Sequence, residues 1–252
     1  MNAMELSANR FQESAVIALE DITLQSALDR GTGNADGRRR QVMAELPHAA
    51  ALRHQGRAAR LRALNELPEL LEQLEGQITG RGGHVLWAQT GDEATQHVVD
   101  ICKQHNLKKG VKSKSMVTEE IGLLPVLQKH GIEMIETDLG EYIVQISEDH
   151  PSHIIMPVMH KTKGQIRDLF MEKLNMPPTD DAKDMTAFIR EHLRNKYLEA
   201  DFGMSGGNFL IAETGTLVIV TNEGNGRLST SVPPVHIAVV GIEKVVPTWE
   251  DF

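Results

Sequence analysis

The stretch Lys108-Lys-Gly-Val-Lys-Ser-Lys-Ser115, running directly into Met116-Val-Thr-Glu-Glu120, decides the fold. A short run ends on small polar residues and gives way to a helix start with acids in its first turn. The spacing predicts a strand over 111–115 and a helix over 118–130. The same rhythm repeats on both sides. Upstream, His84–Gln89 (HVLWAQ) reads as a strand, and Gly91-Asp-Glu opens an amphipathic helix to about Asn106 through Ala94, Val98, Val99 and Cys102. Downstream come a strand over 132–136, strand candidates at Tyr142–Ile146 and His153–Val158, and helices over 163–174 and 182–199. Asn208–Val220 reads as two strands meeting at Glu213-Thr214-Gly215, and Val235–Val246 supplies further strand material. Short aliphatic strands alternating with helices predict an α/β fold, with a mainly parallel sheet covered on both faces and closed by a β-rich C-terminal part.

Before residue 83 the chain reads as helical. Val16, Leu19, Leu24 and Leu28 predict a helix over 8–29, stopped by Gly31-Thr-Gly-Asn34, which with Asp36-Gly37 reads as a flexible linker. A second helical region over about 40–74 is bent near Pro47 and Pro68. The expected organisation is an N-terminal helix and linker over 1–37, a helical segment packing on the core over 38–80, and the α/β domain over 81–252.

At 252 residues and 40% hydrophobic, the chain can bury a sizeable core. Its formal charge of −9 disfavours nucleic acid as a partner. Positive charge is concentrated over Arg38–Arg62, where seven arginines face one acid, Glu45; the segment carries +6 and the remainder −15. Such an island is a solvated helix face or a docking surface, with Arg53, Arg57 and Arg60 as its test residues. The single Cys102 excludes internal disulfides, a cysteine zinc cage and an iron–sulfur cluster held by this chain's own thiolates. Its helical spacing with Val98 and Val99 places it in the core. The N-terminus lacks a basic region followed by an apolar run, and no window approaches 18 apolar residues, so no signal peptide or membrane span is expected. A cytoplasmic location follows as the expectation.

Three polar segments carry candidate chemistry. Lys112, Lys114 and Ser115 stand at a strand's end before a helix start, where Thr118 reads as an N-cap and Glu119 as a partner of the helix dipole. Alternate positions place Lys112 and Lys114 on one face, suited to a carboxylate or phosphate. Ser205, Gly206, Gly207 and Asn208 precede a strand that leads to Thr214 and Gly215. Asn222, Gly224, Asn225 and Arg227 form a glycine loop after a buried strand, with Arg227 able to clamp a carboxylate. The loops over 112–120, 203–208 and 221–230 are expected to converge on one rim. Glu213 and Glu223 are the carboxylates available for acid–base or nucleophilic work. The alternative is that all three are ordinary turns. His150, His153 and His160 lack an acidic or cysteine partner at metal-ligand spacing, and no metal site is expected.

Taken as successive blocks, these residues resemble a known family. The blocks are Lys112–Ile121, Glu136–Gln145, Pro151–Pro157, Ala200-Asp201, Gly206–Asn208, Glu213–Gly215, Thr221–Arg227 and Gly241–Lys244. In this order they resemble the LUD domain of the iron–sulfur (B-type) subunit of bacterial lactate-utilisation complexes, over roughly residues 40–252. The resemblance implies a three-layer sandwich of the NagB/ribose-5-phosphate isomerase/CoA-transferase type. It also implies a part in oxidising L-lactate to pyruvate beside two partner subunits, a second LUD protein and a cysteine-rich iron–sulfur protein. Relatives continue into a ferredoxin-like module for two 4Fe-4S clusters, whereas this sequence stops at Phe252; a truncated or stand-alone form is expected, with no cofactor in the chain itself. Two other roles stay open: a CoA-transferase-like enzyme using Glu223 as nucleophile, and an assembly scaffold.

Overall fold

The computed structural model describes residues 11–149, 151, 156–221 and 223–252. Helices come first: α1 (Phe11–Glu20), α2 (Ile22–Glu45), α3 (Ala49–Asn65), α4 (Leu67–Thr79) and α5 (Gly91–Gln104). Strands then alternate with helices through β1 (Lys109–Lys112), α6 (Met116–Glu120), α7 (Leu123–Lys129), β2 (Glu133–Glu136), α8 (Leu139–Ser147), α9 (Lys163–Leu174) and α10 (Ala182–Glu199). The C-terminal part holds β3 (Phe202–Ser205), β4 (Phe209–Ile211), β5 (Thr216–Val218), α11 (Asn225–Ser231), β6 (Val235–Ala238) and β7 (Val245–Val246). The chain divides into two units, one formed by the chain up to Glu45 with Glu136–Leu198, the other by Leu46–Ile135 with Glu199–Phe252.

The second unit carries the α/β architecture. Its main sheet has the order β2-β1-β3-β6, and β1–β3 and β3–β6 are parallel, with Lys112 opposite Met204 and Ser205 opposite Ala238. Side chains alternate across the sheet. Phe202, Met204 and Ile237 face a core made with Val98, Val99 and Cys102 of α5 and Leu123 and Leu127 of α7. The opposite face is covered by α11, whose approach depends on Gly203: a Cβ there would lie 1.6 Å from the Ser229 carbonyl oxygen. Helices on both faces make the three-layer arrangement expected. A smaller sheet, β5-β4-β7, pairs β4 and β5 as the expected hairpin, with Gly215 at φ +69° in the turn. Ala212 and Val245 of this part pack with Ala63 of α3 and Leu70 and Leu74 of α4.

The first unit is helical, with α8, α9 and α10 burying Tyr142, Ile143, Phe170, Ile189 and Leu193. Helices 163–174 and 182–199 match the sequence reading; other elements depart from it for local physical reasons. No linker interrupts the chain at 31–37, because α2 runs straight through. Gly31 is there for close approach, since a Cβ would meet Met159 Cε at 2.9 Å, and Asp36 pairs with Arg39 and Arg40 one turn on. His84–Gln89 is not a strand. The Trp87 carbonyl meets His97 Nε2 at 3.0 Å and the Gln89 amide donates to Glu93 Oε2 at 2.8 Å, so side chains of α5 satisfy backbone groups that a sheet would otherwise take. Tyr142–Ile146 belongs to α8, not to a strand: Asp138 caps it by accepting from the Gly140 and Glu141 amides, and Leu139, Tyr142, Ile143 and Ile146 recur at helical spacing. The helix expected over 118–130 is two helices, α6 and α7, divided at Gly122 with φ +64°. Of His153–Val158, residues 153–155 lie outside the described residues, and the chain from 156 leads into a turn. Among the described residues no helix is long and apolar enough to cross a membrane.

Candidate functional site

Parallel strands deliver their C-terminal ends to one edge of the main sheet, the place where open α/β folds bind ligands. At that edge the chain after β1 and the chain after β3 leave together, tied by the Ser113 amide donating to the Met204 carbonyl at 3.0 Å. The Val239 amide donates to the Ser205 carbonyl at 3.0 Å and joins the exit of β6. Gly206 lies directly against Ser115; a Cβ on it would come 2.9 Å from Ser115 Oγ. Two of the three polar segments therefore meet at this edge.

The residues within them have taken different roles. Ser115, not Thr118, caps α6, accepting from the Thr118 amide; the buried Thr118 hydroxyl donates back to the Ser115 carbonyl at 2.8 Å. Lys112 is fully buried, and its Nζ stands 3.4 Å from Glu119 Oε1. A lysine in this position is held by its counter-charge, because an unpaired buried ammonium costs several kcal/mol, as an order of magnitude. Glu119 thus serves an ion pair rather than the helix dipole. Lys114 is half-buried beyond the strand's end and shares no strand face with Lys112. Ser205 is buried with its Oγ 2.8 Å from His236 Nε2 on β6. Although His236 is exposed as a residue, the withdrawal of its ring from water at this contact lowers its pKa. The alternation of β6 is the signal that could have placed His236 on the Ser205 face.

Asn208 and the hairpin are structural ties. The Asn208 amide donates to the Val218 carbonyl at 2.9 Å, and its side-chain oxygen accepts from the Val220 amide at 2.8 Å. Gly207 packs against Leu217 and Val240. Thr214 and Gly215 sit at the other end of β4 from Asn208, the threonine hydroxyl 2.8 Å from that of Thr216 and Gly215 against Gln77 of α4. Glu213 there accepts from the Trp249 amide at 3.3 Å, which ties the C-terminal turn to the hairpin. The rim expectation does not extend to these three residues.

The third segment is helical rather than a loop. Gly224 precedes α11, Asn225 and Gly226 are buried in its first turn, and Glu223 is exposed with its amide donating to Thr221 Oγ1 at 3.2 Å. Asn222 lies outside the described residues. Arg227 and Thr230 of α11, with Gly226, Thr221, Ile219 and Val220, line a cavity of about 260 Å³. None of Lys112, Ser115 or Gly206 lines it, so the Arg227 pocket is distinct from the Ser115–Gly206 junction. Among the described residues the Arg227 guanidinium has no hydrogen-bond or ion-pair partner; only its backbone carbonyl is engaged, by Thr230 and Ser231. An unpaired guanidinium beside two hydroxyl-bearing residues in a small concave space suits a small carboxylate or phosphorylated ligand.

Two further features were not foreseen. Asp201, just before β3, accepts from the Lys108 and Lys109 amides at 2.8 and 2.9 Å, and those bonds lower its pKa. In the helical unit His160 does have an acidic partner, Asp149 Oδ2 at 3.1 Å, which Lys161 also contacts at 2.7 Å. His150 and His153 lie outside the described residues. Iron–sulfur clusters do not fit this chain's own donors. Cys102 is enclosed in the apolar core, where burial pushes its thiol up to about 11, and among the described residues no group of three His, Cys, Asp or Glu could hold a metal.

Comparison with known proteins places the chain in a family. The LUD domain family model matches residues 71–252. The chain is similar to "Lactate utilization protein B" of Lysinibacillus sphaericus, with 45% identity over 250 residues, covering 99% of this chain and 52% of that protein. It is similar to the protein of the same name from Bacillus licheniformis, at 43% over 251 residues, covering 99% and 53%. The protein of that name from Bacillus cytotoxicus is 42% identical over 249 residues, covering 99% and 53%. The chain thus spans about half the length of the curated relatives it matches. No solved structure matches it at a significant level.

Proposed function

The chain belongs to the LUD domain family, and from that premise we propose that it is the LUD-domain part of a bacterial lactate-utilisation subunit, with a small-carboxylate site at Arg227. In this reading the full assembly oxidises L-lactate to pyruvate in the cytoplasm, beside a second LUD protein and a cysteine-rich iron–sulfur subunit. The 4Fe-4S clusters that carry electrons belong to residues outside this chain. This chain's part is binding: Arg227 takes the carboxylate of a hydroxy or keto acid as a bidentate clamp, beside Thr221 and Thr230, whose hydroxyls donate to backbone carbonyls of the chain itself.

The observation that carries the reading is the Arg227 guanidinium, unpaired among the described residues, lining a cavity of a size suited to a three-carbon acid. A charge-assisted hydrogen-bonded contact contributes about 1.5–3 kcal/mol, roughly ten- to a hundredfold in affinity. Calorimetric titration of the chain with L-lactate and with pyruvate is expected to give saturable binding that weakens by that factor in Arg227→Ala and partly recovers in Arg227→Lys. Equal binding by Arg227→Ala and the parent would remove the site.

A further inference from the structure

Helices α3 and α4 are consecutive, and their charges are opposite. Over Ala49–Asn65, α3 has four arginines and no acid; over Leu67–Thr79, α4 has three glutamates and no base. Both helices turn their inner faces to the same core, α3 through Ala63 and α4 through Leu70 and Leu74. Among the exposed positions of α3, Arg53, Arg57, Leu61 and Leu64 form one stripe at helical spacing, on the side away from Ala59 and Ala63. Leu61 and Leu64 are 49% and 59% exposed. The charged residues at exposed positions on α4 are Glu69 and Glu72.

The arginine island divides between two uses. Arg60 lies over the Phe209 ring, 5.3 Å from its centroid, and donates to the Glu243 carbonyl, while Arg62 pairs with Asp251; these two fasten the C-terminal turn. Arg53 and Arg57 have no such partner among the described residues, and neither do Glu69 and Glu72. Glu75 is different, accepting from Trp87 Nε1 at 3.1 Å. One chain therefore presents an unpaired basic, partly apolar face next to an unpaired acidic face, and no ion pair among the described residues joins the two.

We infer that this α3–α4 surface is the interface of a homodimer, in which α3 of each chain lies against α4 of a second copy. A two-fold axis makes such a patch self-complementary: Arg53 and Arg57 meet the partner's Glu69 and Glu72 on one side of the axis, and the reciprocal pairs form on the other. The same packing covers Leu61 and Leu64. An acidic protein of another kind would answer α3 but leave the Glu69–Glu72 face unmatched. Nucleic acid would be repelled by that face. A second copy satisfies both faces at once.

Sedimentation equilibrium of the 252-residue chain tests this directly. At low salt, about 50 mM, a dimer is expected, and its dissociation constant should weaken at least about tenfold at about 500 mM, where screening removes the charge pairing. Arg53→Glu with Arg57→Glu should be monomeric, with a far-ultraviolet spectrum like the parent's. Glu69→Arg with Glu72→Arg should be monomeric as well. An equimolar mixture of the two variants should form a heterodimer, because each acidic α3 then finds a basic α4 and the reverse. A parent that stays monomeric at low salt, a charge-reversed variant that still dimerises, or a mixture that stays monomeric would each overturn the interface.

Discussion

Lys112 and Arg227 carry the same charge and read as equivalent anion ligands, yet the fold gives them opposite environments. Lys112 ends the central part of the sheet and is fully buried with Glu119 as counter-charge. Arg227 stands on the outer side of α11, whose inner side is Asn225, Gly226 and Ser229, and it opens on a cavity. A cation's role is set by what surrounds it once the chain is packed. Where a carboxylate reaches it first, it stabilises the fold; where none does, it is available to a ligand.

The contrast can be broken at α11 itself. Gly203→Ala would drive a Cβ into the Ser229 carbonyl, backbone that cannot swing aside, so the loss is expected at or above the upper end of the roughly 1–3 kcal/mol typical of overpacking. Thermal denaturation should show it as the most damaging of these substitutions, and any carboxylate binding at Arg227 should go with it. A parent-like melting temperature would mean that α11 does not pack on β3 as described.

Lys112→Ala comes next. Removing one member of a buried pair costs about 3–5 kcal/mol, and the lower end applies here because Glu119 is 35% exposed and can rehydrate. Arg227→Ala should cost less than about 0.5 kcal/mol, as at other surface positions. Urea denaturation of the two variants side by side measures the difference directly; equal losses would abolish the distinction.

Smaller effects sharpen the picture elsewhere. Gly33→Ala, where a Cβ meets nothing within 4 Å, should stabilise α2 by about 0.5–1 kcal/mol. Gly31→Ala in the same helix should not, because Met159 must move. Opposite signs in paired melting curves would confirm a continuous helix, whereas two neutral results would favour a linker. Smallest is Asp201. Its carboxylate is held below its usual pKa by two amides, so its contribution is present above the unfolded-state value and fades as pH falls through the folded one. A pH series should therefore show a shallower acid-side loss of stability for Asp201→Asn than for the parent.

Strands β1 and β2 and the late helices were legible in the sequence because their periodicities are clean and their caps local, as at Thr162 and Asn175 around α9, whereas β3 (Phe202–Ser205), inside the main sheet, overlaps the segment read as the glycine loop over 203–208. Two of the departures share one cause. Tyr142–Ile146 is rich in β-branched and aromatic residues, and 31–37 is rich in glycine, so composition pointed one way while capping and packing went the other. HVLWAQ failed differently: its alternation suits a strand, but α4 and α5 side chains take its polar groups. For the site, residue types were readable and roles were not. Hydroxyls, glycines and cations at strand ends mark a rim, but the sequence does not say which cation meets a carboxylate.

By itself, then, the sequence determined the α/β class and the family resemblance, since these rest on periodicity and ordered motifs. Tertiary structure alone decided that Lys112 is internal, that Ser205 binds His236, that α11 covers β3 and that Arg227 finds no partner for its guanidinium among the described residues. The physical reason is range. Periodicity and capping act within one or two turns of chain, while an ion pair or a helix seated on a glycine depends on residues brought together from distant positions.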